Sequence, residues 1–343
     1  MRVYKDPLFG FYEFFNEENG FLIRTNILNN GVQKKPFKRS YPELIDIGIM
    51  GHCNNRQICR ENGVLCYQTY NYDENMSYSD YCSIIDQSKG KTFQVALGGR
   101  GDPNKHENFE DILKYTVANG IVPNLTTSGY DISNKEVDLI KKYCGAIAVS
   151  CYSKIVNDIE TNSNFTNIVE FFSKEMITNV HYVVSNDTID DAIYRLEKDL
   201  FPKDINSVIF LLYKPVGAAV DKCFLCRIDN NKLNTFFKTI FIKKHNFKIG
   251  FDSCFSNIVS KYYNEKNDDV ECIQYCESGR FSCYINPRMK MYPCSFTQLH
   301  IYECDLKNQS IQDAWFSDEF KKFVQLNKKH PEECPLRLNT FCE

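Results

Sequence analysis

The sequence predicts an α/β protein, a partial (βα)6 TIM-like barrel followed by a cysteine-rich C-terminal extension. Two observations carry that expectation. From residue 45 to residue 245, short apolar runs alternate with stretches of helical length, the pattern of βα units and a parallel sheet. From residue 246 the alternation gives way to dense cysteines, with Gly279, Pro287, Pro293, Pro331 and Pro335 punctuating the chain. A length of 343 residues, 43% of them hydrophobic and 25% charged, suits a globular body with a sizeable core. It excludes a disordered chain, a collagen-like rod or a coiled coil.

Residues 1–44 are aromatic-rich and read as an irregular N-terminal extension, with one extended stretch at 20–24. Apolar runs at 44–50, 93–97, 121–126, 146–149, 180–184 and 208–213 predict six buried parallel strands. Helices are predicted between and after them at 78–88, 108–119, 134–143, 164–176, 187–199 and 230–245. The expected division is therefore 1–44, 45–245 and 246–343. No internal repeat or low-complexity segment interrupts it.

A net charge of −3 supplies no basic field for nucleic acid. No apolar run approaches the roughly 18 residues a membrane helix needs. The opening MRVYKDPLFGFYEFF lacks the apolar core of a secretory signal. Together these predict a cytoplasmic protein.

Sixteen cysteines are the anomaly. A reducing compartment would keep them as thiols, which favours metal or catalytic roles over disulfides. Their distribution agrees. Cys53, Cys59 and Cys66 share one loop directly after the first barrel strand, and eight more crowd the last ninety residues. In parallel α/β folds the loops at the carboxyl ends of the strands carry the chemistry. Three thiolates can hold three irons of a cubane [4Fe–4S] cluster and leave the fourth iron open. The alternative is a zinc loop that borrows a fourth ligand such as His52. The second strand ends in LGGRGDP, where Gly98, Gly99 and Gly101 let backbone come close to a ligand. TTSGYD, with Thr127 and Ser128, follows the third strand; Ser150 ends the fourth and Ser185 the fifth. Singly these serines are helix caps or turn formers. Five polar or glycine-rich strand ends in succession form a binding rim.

With these residues assembled, the sequence resembles a radical SAM enzyme from about residue 44 to its end. The family's three-cysteine loop has three and two intervening residues, where this chain has five and six, and Tyr67 follows the last cysteine. Cys82, in the following helix, is a spare thiol. LGGRGDP resembles the family's Gly-Gly-Glu-Pro segment, lengthened and without the glutamate, whose place is taken either by Asp102 or by backbone carbonyls alone. The resemblance implies a SAM-binding [4Fe–4S] cluster on Cys53, Cys59 and Cys66. It also implies S-adenosylmethionine held near Tyr67, Gly98, Gly99, Asp102, Thr127, Ser128, Ser150 and Ser185. The implied reaction is reductive cleavage of S-adenosylmethionine to a 5′-deoxyadenosyl radical that abstracts hydrogen from a substrate.

The tail resembles the SPASM or Twitch extensions of peptide-modifying members. Cys276 with Gly279, the Tyr-Pro-Cys at 292–294 and the Cys-Pro at 334–335 match that pattern, and Cys254 is the natural fourth ligand. One auxiliary [4Fe–4S] cluster on Cys254, Cys276, Cys294 and Cys334 is implied. Cys272, Cys283, Cys304 and Cys342 have unconvincing spacings for a second. Cys223 and Cys226 form a Cys-x-x-Cys pair that reads as buried thiols, and Cys144 and Cys151 read as packing residues. Lys214, at the mouth of the sixth strand, is either a solvated lysine or a cation for a substrate carboxylate or the cofactor. His106 reads as a helix-start residue. The implied function is modification of a peptide or protein side chain, with an external electron donor of flavodoxin or ferredoxin type. The alternatives are a radical SAM reaction on a small metabolite and a non-catalytic iron–sulfur or zinc protein.

Overall fold

The first 25 residues form a sheet, not the irregular lead-in their composition suggests. Strands β1 (Arg2–Lys5), β2 (Tyr12–Phe15) and β3 (Leu22–Thr25) make an antiparallel meander. Two loops of the same design fold it. Asp6 Oδ1 accepts the backbone N–H groups of Leu8 and Phe9 at 3.0 and 2.8 Å, and Asn16 Oδ1 accepts that of Glu18 at 3.0 Å. Each loop closes on a glycine in the left-handed region, Gly10 with φ 72° and Gly20 with φ 71°. The strands are four residues long, too short to show alternation by themselves. The computed structural model describes residues 1–25, 36–61, 66, 72–156, 159–161, 163–217, 228–264 and 276–329.

Six parallel strands follow where the sequence predicts them: β4 (Leu44–Met50), β5 (Gln94–Gly99), β6 (Val122–Thr127), β7 (Ala146–Ser150), β10 (Ile177–Val184) and β11 (Ser207–Leu212). A small antiparallel hairpin, β8 (Ile155–Val156) and β9 (Ile159–Glu160), interrupts the series. Helix α1 (Arg56–Glu61) lies in the loop after β4. The outer layer is α2 (Tyr78–Ser88), α3 (Phe109–Ala118), α4 (Asn134–Tyr143), α5 (Ser163–Ser173), α6 (Ile189–Lys198) and α7 (Asn230–Ile242). Alternation along the strands explains the two faces. Ile45, Ile47 and Ile49 are fully buried with Ile84, Ile85, Ile112 and Leu113 of α2 and α3. Asp46 and Gly48, between them, take the opposite face. Apolar burial of this kind stabilises by about 25 cal/mol per Å2 and holds the helical layer against the sheet.

The sheet runs one strand past residue 245, because β12 (Lys248–Phe251) pairs in parallel with β11. At the other edge the tail joins the barrel. Strand β13 (Ser282–Ile285) pairs in parallel with β4, placing Tyr284 opposite Asp46. β14 (Lys290–Tyr292) and β15 (Cys304–Asp305) then continue antiparallel, completing a ten-stranded sheet.

Helical structure also persists beyond residue 246, contrary to the fading periodicity of the sequence. It takes the form of α8 (Ser256–Asn264), α9 (Ile311–Trp315) and α10 (Asp318–Lys329). The five-residue α9 is too short to show a period. A capping box sets it, with Ser310 Oγ accepting the Asp313 N–H at 3.0 Å. Among the described residues no helix is long and apolar enough to cross a membrane.

Charge pairs and one indole lock the N-terminal sheet and the tail to the barrel. Arg24 of β3 bonds to Glu43, beside β4, and to Glu277 of the tail at 2.6 Å. Arg39 bonds to Glu13 of β2 at 2.6 Å, with both side chains fully buried. Trp315 is fully buried and donates its indole N–H to the Arg39 carbonyl at 2.8 Å. Trp315→Ala leaves a large cavity and an unpaired carbonyl, so a loss of about 3–5 kcal/mol is expected. Chemical denaturation should register it as an earlier midpoint. A midpoint equal to that of the parent would mean that α9 does not hold the tail.

Candidate functional site

The loop after β4 carries Cys53, Cys59 on α1, and Cys66. These three thiols lie close enough to act on one another electrostatically. Burial, then the neighbouring Cys53 and Cys66, pushes the Cys59 thiol up to about 12, and burial likewise raises Cys53. Without a metal, these groups are thiols, and binding one must displace their protons. Cys82 lies elsewhere, hydrogen-bonded to Tyr78 on α2. The loop returns to the strand through Asp73 N–H to the Gly51 carbonyl at 3.1 Å and Met76 N–H to the Ile49 carbonyl at 2.9 Å. Gly51 is required there, since a Cβ would come 2.0 Å from the Glu74 carbonyl oxygen. Asp73 also pairs with Arg100 of the next loop and Arg288 of the tail. His52 stacks on Tyr72, ring centroids 4.7 Å apart.

The glycine-rich loop packs against this one. A Cβ on Gly101 would come 2.5 Å from the His52 carbonyl, and Gly99, with φ 125°, lies against Gly48 and Met50. These two glycines therefore serve contact between the loops. At Gly98 a Cβ would meet Asp46 Oδ1 at 3.8 Å, an ordinary contact. Asp102 joins three elements. Its carboxylate accepts Asn55 Nδ2–H of the cysteine loop at 2.8 Å, and Ser128 N–H and Oγ–H at 2.6 and 2.5 Å. Thr127 Oγ1 lies 3.4 Å from Asn104 Oδ1 and accepts the Gly129 N–H at 3.2 Å. Ser185 Oγ accepts the Asp187 N–H at 3.2 Å in the turn that leads to α6. His106 braces its loop through the Met76 carbonyl at 2.9 Å.

Tyr152 escaped the sequence analysis. It hydrogen-bonds Ser150 and lies near Cys66, Cys59 and Asp102; burial, then those groups, holds its phenol above the usual range. Arg195, fully buried, fixes this segment by donating to the Ser153 carbonyl and Oγ, both at 3.1 Å. It also pairs with Asp191 and Glu160 at 2.8 and 3.1 Å.

The tail brings a second thiol group together. Cys254, Cys276 and Cys294 act on one another, and burial pushes Cys294 up to about 12. The expected ligand Cys334 lies outside the described residues, as do Tyr67, Cys223, Cys226, Cys272 and Cys342. Among the described residues no three His, Cys, Asp or Glu side chains converge on a position for a single ion. A cubane takes one thiolate per iron, and Cys53, Cys59 and Cys66, like Cys254, Cys276 and Cys294, are the thiols that would hold one.

Between the two thiol groups the barrel interior is polar. Burial pushes the Asp46 carboxyl up to about 7, opposed by a hydrogen bond with Ser295. Burial pulls His181 down to about 4, leaving a neutral imidazole, with Asp252 opposing. A charged residue inside the apolar run at 44–50 was the sequence signal for Asp46. Nothing local marks His181 or Ser295.

The matches to known proteins follow this layout. Residues 276–336 match the SPASM family, described as an iron–sulfur cluster-binding domain. Streptococcus suis SuiB bound to S-adenosylmethionine is 14% identical at a TM-score of 0.60, covering 86% of this chain and 76% of that one. The same protein bound to its precursor peptide SuiA gives 14% and 0.61, covering 86% and 75%. Histidine-tagged anSMEcpe with bound AdoMet gives 15% and 0.58, covering 86% and 85%. The fold is that of a radical SAM enzyme with a SPASM extension. No curated protein matches the chain. In this radical SAM fold, Asp46 on β4 meets the SPASM segment through its hydrogen bond with Ser295.

Asp46 yields a pH test. An aspartate titrates near 4 in an unfolded chain and Asp46 at about 7 in the fold, so the folded state holds the extra proton between those values. Its contribution to stability is full below about pH 4 and is lost as pH rises through about 7. Asp46→Asn should flatten that decline in urea midpoints taken from about pH 5 to about pH 8. Parallel profiles for parent and variant would refute the raised value.

Proposed function

We propose that this protein is a radical SAM enzyme that modifies a peptide or protein side chain. Residues 45–245 form its core, 246–343 its auxiliary-cluster extension and 1–44 a short N-terminal extension. The observation that carries this reading is the gathering of Cys53, Cys59 and Cys66 at the carboxyl end of β4, beside the glycine-rich end of β5. Cys53, Cys59 and Cys66 would hold a [4Fe–4S] cluster with one iron free of protein thiolate, and that group would supply the one-electron chemistry for reductive cleavage of S-adenosylmethionine.

The chain's own residues orient and enclose. Gly98 leaves room for the cofactor's methionyl end, and Asp102 holds the cysteine loop against the Ser128 strand end. Ser150 and Ser185 sit on the rim at the next strand ends. Tyr152 stands near Cys59 and Cys66 from the β7 side, and Asp73 and Arg195 brace the flanking loops. Cys254, Cys276 and Cys294, with Cys334, would hold the auxiliary cluster. The peptide substrate is supported by the bound peptides of two structures with this fold, SuiA on SuiB and Cp18Cys on anSMEcpe. An external flavodoxin- or ferredoxin-type donor would deliver the electron.

Anaerobic reconstitution should give a brown protein whose visible absorbance bleaches with dithionite. A colourless protein with stoichiometric zinc would overturn the reading. Cys53→Ala, Cys59→Ala and Cys66→Ala should each abolish 5′-deoxyadenosine release while far-ultraviolet circular dichroism stays that of the parent. Full cleavage by all three would rule out the mechanism. Loss in Cys82→Ala with activity kept in Cys59→Ala would move the middle ligand to α2.

The auxiliary site has its own measurement. Cys276→Ala combined with Cys294→Ala should lower bound iron from about eight to about four per chain, as expected for loss of one of two cubanes. Iron content equal to the parent's would show the auxiliary ligands to be elsewhere.

A further inference from the structure

The sixth barrel strand runs out into Lys214, and this lysine touches both segments that deliver the auxiliary thiols. Its ammonium donates to the Leu212 carbonyl at 2.9 Å and pairs with the Asp252 carboxylate. Asp252 stands two residues before Cys254, and its carboxylate also accepts the N–H groups of Leu212 and Phe255 at 3.3 and 3.1 Å. On the other side the ammonium lies 4.4 Å from the ring centroid of Phe296, two residues after Cys294. The Phe296 N–H is in turn 3.5 Å from Cys294 Sγ. The Lys214 side chain is 14% exposed and that of Asp252 17%, so water screens this pair only weakly.

The ion pair and the aromatic contact exclude the solvated lysine considered from sequence. They also occupy the ammonium that a substrate carboxylate would need. We infer that Lys214 raises the reduction potential of the iron–sulfur cluster held by Cys254, Cys276 and Cys294, with Asp252 as the counter-charge that limits the effect. The inference rests on the auxiliary-site reading above. Its physical basis is simple. Reduction adds an electron to an anionic assembly of thiolates and iron, so a fixed positive charge beside it favours the reduced state, and a negative charge disfavours it.

Two substitutions of opposite sign test this in anaerobically reconstituted full-length protein. An electron paramagnetic resonance redox titration reads the midpoint. Lys214→Met should lower the equilibrium constant for one-electron reduction about tenfold, a fall of about 59 mV. Asp252→Asn should move the midpoint upward, and Lys214→Arg should keep the parent value. A purely structural lysine would not produce shifts of opposite sign. An unmoved midpoint in Lys214→Met, shifts of one sign in both variants, or loss of the auxiliary iron from Lys214→Met would each overturn the inference. A parent protein with only one cluster's worth of iron would instead sink the auxiliary-site reading, and the iron content of the parent tells the two failures apart.

Discussion

The parallel pairing of β13 with β4 is the contact on which the rest of the arrangement depends. β4 launches the loop that holds Cys53, Cys59 and Cys66, and β13 lies between Cys276 and Cys294. One ladder of backbone hydrogen bonds therefore fixes both thiol groups relative to each other. The ladder also dictates Gly48, because a Cβ there would come 2.5 Å from the Tyr284 hydroxyl. Register and side-chain size are coupled at that point, since a shift by one residue would turn Tyr284 to the other face.

Buried charge pairs hold what the ladder brings together. Arg24, bonded to Glu43 and Glu277, ties the N-terminal meander to the start of β4 and to the residue after Cys276. Lys214 and Asp252 do the same at the far edge of the sheet, where β11 and β12 meet the auxiliary thiols. Pairs with so little exposure stabilise little by themselves, because desolvation offsets their attraction. Their value lies in geometry. Each fixes two segments distant in sequence, and removing one partner would strand a buried charge.

The interior between the thiol groups shows what such confinement does to chemistry. Asp46 and His181 both lean towards their neutral forms, because burial opposes charge on either. The Lys214–Asp252 pair acts on His181, and Asp102 lies against the cysteine loop.

Much of this was legible in the chain itself. Strand and helix positions in the barrel follow from apolar runs such as 44–50 and from the ten-residue amphipathic spans between strands, because burial on one face leaves a periodic mark. Cys53, Cys59 and Cys66 were legible because they share one loop, and Cys276 with Cys294 because they flank a short hairpin. The N-terminal meander was not, since four-residue strands carry no period and its signal lay in the Asp6–Gly10 and Asn16–Gly20 turns. Tyr152, His181 and Ser295 were equally silent, for their neighbours come from other strands. Sequence determined which elements form and which thiols are available, because both are local properties. Only the tertiary structure decided that β13 lies against β4, that Asp102 bridges Asn55 and Ser128, and that Lys214 turns to the auxiliary thiols. Those are contacts between residues tens of positions apart or more, and no local pattern of apolar and polar residues encodes them.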